Sequence, residues 1–121
     1  MIYQNQVSAE YWIEGAFSNE TASRVLEGTK KVVNDPHGTG YAAHREDIVL
    51  AGKTGTAEIK ASKEDASGTE LGWFAIFTAE ETVECPILMI SMVEDVKERG
   101  GSGYVVQKDR LVLEKWFGGV L

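Results

Sequence analysis

Covalent and metal cross-links are almost excluded by what this chain lacks. Its 121 residues include one cysteine, two histidines and two prolines. A lone Cys85 permits neither an intrachain disulfide nor a CxxC metal site. His37 and His44 both sit near a Gly-rich turn and offer Cys85 no partner for thiolate chemistry, so Cys85 reads as a small residue opening a strand, and no metal or cofactor is expected. Lys and Arg nowhere form a run, and the net charge is -7. The electrostatic footprint of a nucleic-acid binder is therefore missing, and no nucleic-acid partner is expected. The longest apolar stretch, Cys85 to Ile90, is of strand length and far short of a membrane span, and no signal-peptide pattern is present.

What is present suits a soluble globular domain or a piece of one: 43% hydrophobic and 26% charged residues. Residues 1–17 carry Tyr11, Trp12, Ile13 and Phe17 as anchors of an irregular or short extended entry. Ser18 is a good N-cap, and Glu20 suits the positive end of a helix dipole. Ala22, Val25, Leu26, Val32 and Val33 then follow helical spacing, with Thr29 in the same stripe. Asp35 before Pro36 should end that helix near residue 34. After the turn His37-Gly38-Thr39-Gly40, strands are expected at about 47–60, 71–79 and 86–94, the last as a buried strand. The polar stretch Ala61 to Glu70 reads as a hairpin loop. An amphipathic helix at about 103–117 closes the chain at Gly118-Gly119. Short links between consecutive strands favour an antiparallel meander, so the fold class is α+β: three antiparallel strands with an N-terminal and a C-terminal helix packed on them.

The chemistry concentrates in Ile48-Val-Leu-Ala-Gly-Lys-Thr-Gly-Thr-Ala-Glu-Ile-Lys60. Gly52-Lys53-Thr54 could end a phosphate-binding loop, but the first glycine of that motif would fall at Asp47. The intervening residues are also β-prone, and a strand pattern rather than a helix follows. The alternative is Lys53-Thr54-Gly55-Thr56 on a strand lining a cleft. Lys53 then supplies a fixed cation. Thr54 and Thr56 share a strand face, where two hydroxyls can hold one carboxylate. Gly55 leaves room for a ligand against the backbone. On an edge strand the Thr56 N–H would be free to meet a developing oxyanion. Trp73 and Phe74 read as core rather than stacking platforms, and Glu58 as a solvated or salt-bridged residue.

Lys53-Thr54-Gly55-Thr56-Ala57-Glu58, followed after a polar loop by Gly72-Trp73-Phe74, resembles the C-terminal part of penicillin-binding protein transpeptidase domains. Lys31-Val32-Val33-Asn34 and Gly38-Thr39-Gly40 upstream fit the same pattern, as do Val93-Glu94-Asp95-Val96 and Gly100-Gly101 downstream. In detail the resemblance is to class B, low-affinity penicillin-binding proteins of Gram-positive bacteria, over roughly Ser18 to Phe117. It implies a partial transpeptidase/serine β-lactamase-like fold, and a membrane-anchored parent with this domain outside the cytoplasm. The parent's ligand would be a peptidoglycan stem peptide or a β-lactam. By resemblance, Lys53 and Thr56 serve catalysis, while Thr54, Gly55 and Thr56 bind substrate.

The family also uses Ser-x-x-Lys and Ser-x-Asn. No serine of this chain is followed by Lys three residues on or by Asn two residues on. Tyr3-Gln4-Asn5 matches a Tyr-x-Asn variant but lies too close to Lys53. The chain alone is thus expected to be inactive, a segment of a longer transpeptidase. A β-lactam sensor domain or a serine β-lactamase is the alternative parent. Apolar surface exposed by truncation would favour a homo-dimer or exchange of a strand or helix.

Overall fold

The computed structural model describes residues 8–60, 62–64 and 68–118. Helix α1 spans Asn19–Asn34, β1 Leu50–Glu58, β2 Glu70–Thr78, β3 Leu88–Val93 and α2 Ser102–Phe117. A short 3-10 turn at Tyr41–Ala43 separates α1 from β1. The strands form one antiparallel sheet in the order β1-β2-β3. This is the α+β meander with flanking helices that the strand spacing suggests. Tyr3-Gln4-Asn5 lies outside the described residues, and residues 8–17 contain no strand or helix.

Local chemistry sets the limits of α1. The Ser18 hydroxyl accepts from the Thr21 N–H at 3.1 Å and so satisfies one of the first-turn donors. At the other end Asp35 is extended, as a residue before proline should be, while its N–H still donates to Lys31 O. Asn34 then ties the helix end to the sheet. Its Nδ2 donates both to Lys30 O, at 2.7 Å, and to Leu50 O, at 2.8 Å. The apolar stripe of α1 is only partly used. Val33 is fully buried, whereas Val25 is exposed and borders an open apolar recess with Phe17, Leu26 and Phe77.

The core is a single cluster in which Phe74 and Ile76 of β2, Leu50 of β1 and Val33 of α1 meet Val96 and Val105, Val106 and Leu113 of α2. Burying side chains of this size contributes about 1.5–3 kcal/mol each. Helix α2 comes close to β2 because Gly72 has no side chain. A Cβ there would lie 2.8 Å from Val96 Cγ1 and 3.0 Å from Val105 Cγ2. The Trp116 indole N–H donates to Cys85 O at 3.0 Å and holds the far end of α2 to the β2–β3 connection. Gly118, in the left-handed region, ends the helix.

Two readings are corrected here. First, β3 is not a buried strand: Leu88, Ile90 and Met92 are exposed while Met89, Ser91 and Val93 are partly covered. The apolar run Cys85 to Ile90 that enters β3 suggests cover on both faces, but among the described residues only α2's face is covered. Cys85, correspondingly, is exposed and lies in the connection before β3 rather than opening the strand. Second, Trp73 and Phe74 do not act together. Neighbours in a strand point to opposite faces, so Phe74 is core and Trp73 is 40% exposed.

One buried charge sits between α2 and the sheet. Asp109 is only 4% exposed, and Ser91 Oγ donates to its Oδ1 at 2.8 Å, while Oδ2 has no hydrogen-bond partner. Burial raises the Asp109 pKa above the ordinary carboxylate value, against the smaller lowering effect of the Ser91 hydroxyl. A carboxyl raised in this way binds its proton more tightly folded than unfolded. Its stabilising effect is full below the unfolded pKa of 3.8 and is lost as pH rises through the folded value. Asp109→Asn should therefore gain stability relative to the parent chain as pH rises from 4 to 8. Thermal unfolding at the two pH values measures this. A gap of the same size at both would contradict it.

Candidate functional site on the open edge of strand β1

Among the described residues, strand β1 has a strand partner on one side only. Antiparallel pairing makes alternate residues turn their N–H and C=O toward the partner. The phase is set at both ends of the hairpin: Ala79 N–H donates to Val49 O, and Ile59 N–H donates to Thr69 O, both at 2.9 Å. Odd-numbered residues of β1 thus bond to β2. Leu50, Gly52, Thr54, Thr56 and Glu58 direct their backbone groups outward. Two side-chain contacts agree with this phase, since Leu50 O accepts from Asn34 Nδ2 and Thr54 O accepts from Lys53 Nζ at 2.5 Å. The Thr56 N–H therefore leaves the sheet at an open edge.

The side chains divide between the two faces. Thr54 lies opposite Phe74 and Thr56 opposite Gly72, so both hydroxyls share a face. They are not equivalent there: Thr54 is buried at 8% exposure, whereas Thr56 is exposed. Lys53 starts from the other face, opposite Ala75, and its ammonium bends round the edge to the Thr54 carbonyl. A cation, a free N–H and two hydroxyls thus converge on the margin of one strand. An arrangement of this kind suits an anionic ligand lying alongside β1. Glu58 pairs with Lys60 at 2.6 Å.

Thr39 is a site residue that the linear pattern did not assign. Its Oγ1 lies 2.7 Å from Thr54 Oγ1, joining the turn after α1 to the strand. The sequence signal was the Gly38-Thr39-Gly40 turn, which is part of the resemblance but assigns Thr39 no role.

Comparisons with known proteins identify the family. A family model described as the penicillin-binding protein transpeptidase domain matches residues 1–110. Penicillin-binding protein 3 of Bacillus subtilis (strain 168) is 40% identical over 108 residues, covering 89% of this chain and 16% of the relative. The fold is similar to the crystal structure described as a peptidoglycan glycosyltransferase from Atopobium parvulum DSM 20469, with a TM-score of 0.53 and 18% identity. That match covers 84% of this chain and 24% of the other. The chain belongs to the penicillin-binding protein transpeptidase domain family. It spans only a small part of the length of both relatives.

Gly55 separates the demands of the site from those of the fold. A Cβ at Gly55 would meet Trp73 Cβ at 3.7 Å, an ordinary contact, and its φ is not positive. Gly55→Ala should leave stability within about 0.5 kcal/mol of the parent or slightly above it, because strand glycine is entropically unfavourable. Gly72→Ala should cost about 1–3 kcal/mol through overpacking against Val96 and Val105. Denaturant unfolding of the two variants provides the check, and equal losses would contradict the distinction.

Proposed function

We propose that this chain supplies the Lys-Thr-Gly wall of a serine-type D,D-transpeptidase that cross-links peptidoglycan stem peptides and is acylated by penicillin. The observation that carries the reading is the outward phase of Thr56 on β1, an edge strand among the described residues that also carries Lys53 and Thr54. In the proposed reaction a serine Oγ, on chain outside this sequence, attacks the carbonyl carbon of a terminal D-Ala-D-Ala bond. The carbonyl oxygen takes up negative charge, and the Thr56 N–H donates to it. Collapse breaks the peptide bond, the leaving D-alanine amine takes the proton that the serine hydroxyl gives up, and an acyl-serine remains. An acceptor amine then takes the acyl group. Penicillin would enter by the same attack through its β-lactam carbonyl. Lys53 attracts the ligand's terminal carboxylate and the Thr54 and Thr56 hydroxyls hold it, while Gly55 leaves space beside the strand. Since that substrate lies outside the cytoplasm, the whole protein would be anchored to the cell membrane with this domain on the outer side. Among the described residues no helix is long and apolar enough to cross a membrane.

Electrostatic stabilisation without a nucleophile forms no acyl-enzyme. Incubated with a fluorescent penicillin, the 121-residue chain should remain unlabelled. A transpeptidase domain that contains this segment should label, and Lys53→Ala should slow that labelling by about 100-fold. A stoichiometric adduct on the isolated chain would overturn the reading, as would unimpaired labelling of the Lys53→Ala domain.

The isolated chain should also self-associate. Trp73, Leu88, Ile90 and Met92 form an exposed apolar face, and the outer edge of β3 pairs with no described strand. Light scattering at high concentration should give at least twice the monomer mass. Ile90→Lys should restore the monomer, whereas a monomeric parent chain would contradict the proposal.

A further inference from the structure

The Thr39–Thr54 contact has a consequence for how a carboxylate binds. A hydroxyl owns one proton and accepts through two lone pairs. At 2.7 Å one of the two threonines donates to the other. A carboxylate only accepts, so Thr54 can serve it only if the Thr54 proton points outward to the ligand. That proton is free only when Thr39 donates to Thr54. We propose that Thr39 is a positioning residue. By donating to Thr54 Oγ1 it aims the single Thr54 proton toward a ligand carboxylate. The inference rests on the transpeptidase reading above.

The turn that carries Thr39 is built to keep it in place. Gly38 N–H donates to Asp35 O at 2.8 Å and Gly40 N–H donates to Val32 O at 2.9 Å. Gly38 has no room for a side chain, since a Cβ there would fall 2.2 Å from Val32 O, and Gly40 is tightly enclosed, since a Cβ there would fall 3.2 Å from both Phe74 Cε1 and Val32 Cγ1. The turn is therefore pressed onto the end of α1 and onto the core side chain of Phe74. Thr54, at 8% exposure, has little access to water that could replace the contact. Without Thr39 its hydroxyl would be free to turn its proton to a neighbouring backbone carbonyl, the usual local competitor for Ser and Thr.

The test uses the transpeptidase domain that contains this segment and compares acylation by a penicillin with that by its carboxylate methyl ester. Thr39→Val keeps the shape and removes the donor. It should weaken the penicillin binding step by about 10-fold, the effect of one charge-assisted hydrogen bond. The limiting acylation rate should change less. Thr39→Ser should restore binding to near the parent value. Acylation by the ester should not respond to Thr39→Val, and Thr39→Val should add nothing in a Thr54→Val background. A purely structural role would slow both ligands alike and would persist in that background. Thr39→Ala, with its unfolding midpoint measured alongside, repeats the test if the valine variant folds poorly. Unchanged penicillin binding in the Thr39 variants, absence of rescue by serine, or an equal loss with the ester would each overturn the proposal. Lys53→Ala in the same assay separates the two levels. If it too leaves acylation unchanged, the transpeptidase reading itself falls. If it slows acylation while the Thr39 variants do not, only the positioning role falls.

Discussion

Pairing of β1 with β2 alone among the described strands is the constraint on which the site depends. The two bonds that bracket the hairpin, at Val49 and at Ile59, leave no freedom in which residues face β2. A slip of one residue would turn the Thr56 N–H into the sheet and exchange the faces of Lys53 and Thr54. Register is therefore a functional quantity here. It is secured by burial of Leu50, Phe74 and Ile76, which a slip would turn out of the core, and by Asn34, which holds the Leu50 carbonyl from the end of α1.

The two faces of the sheet differ in consequence. On one, α2 closes onto β2 at Gly72 and leaves the Asp109 carboxylate between helix and sheet with one hydrogen bond. On the other, Lys53 and Gly55 border Trp73, which is exposed together with Ile90 and Met92 across the sheet. A sheet that presents an apolar face beside a cationic strand edge is suited to further protein on that side.

Features that depend on near neighbours in sequence were legible. Ser18 and the Asp35-Pro36 pair bracket α1, and the hairpin loops mark an antiparallel meander. The Lys-Thr-Gly-Thr spacing places Thr54 and Thr56 on one face by strand geometry alone. Features that depend on tertiary cover were not. Six apolar residues in succession look the same whether one face of β3 is covered or both, so the sequence does not distinguish the exposed Leu88 and Ile90 from buried residues. Trp73 and Phe74 could not be separated until the sheet had a covered and an open side. The Thr39–Thr54 contact joins residues 15 apart across a turn, and no periodicity encodes it. Asp109 lies within an amphipathic pattern that gives no hint of a buried charge.

Residue-resolved amide hydrogen exchange across β1 tests the central claim most directly, because an outward N–H exchanges without opening the sheet. With the edge open and the phase as described, Thr54 and Thr56 should exchange rapidly, while Lys53, Gly55 and Ala57 are protected through their bonds to β2. Protection of Thr56 together with rapid exchange at Gly55 would contradict the account, since the N–H assigned to the oxyanion would then lie inside the sheet.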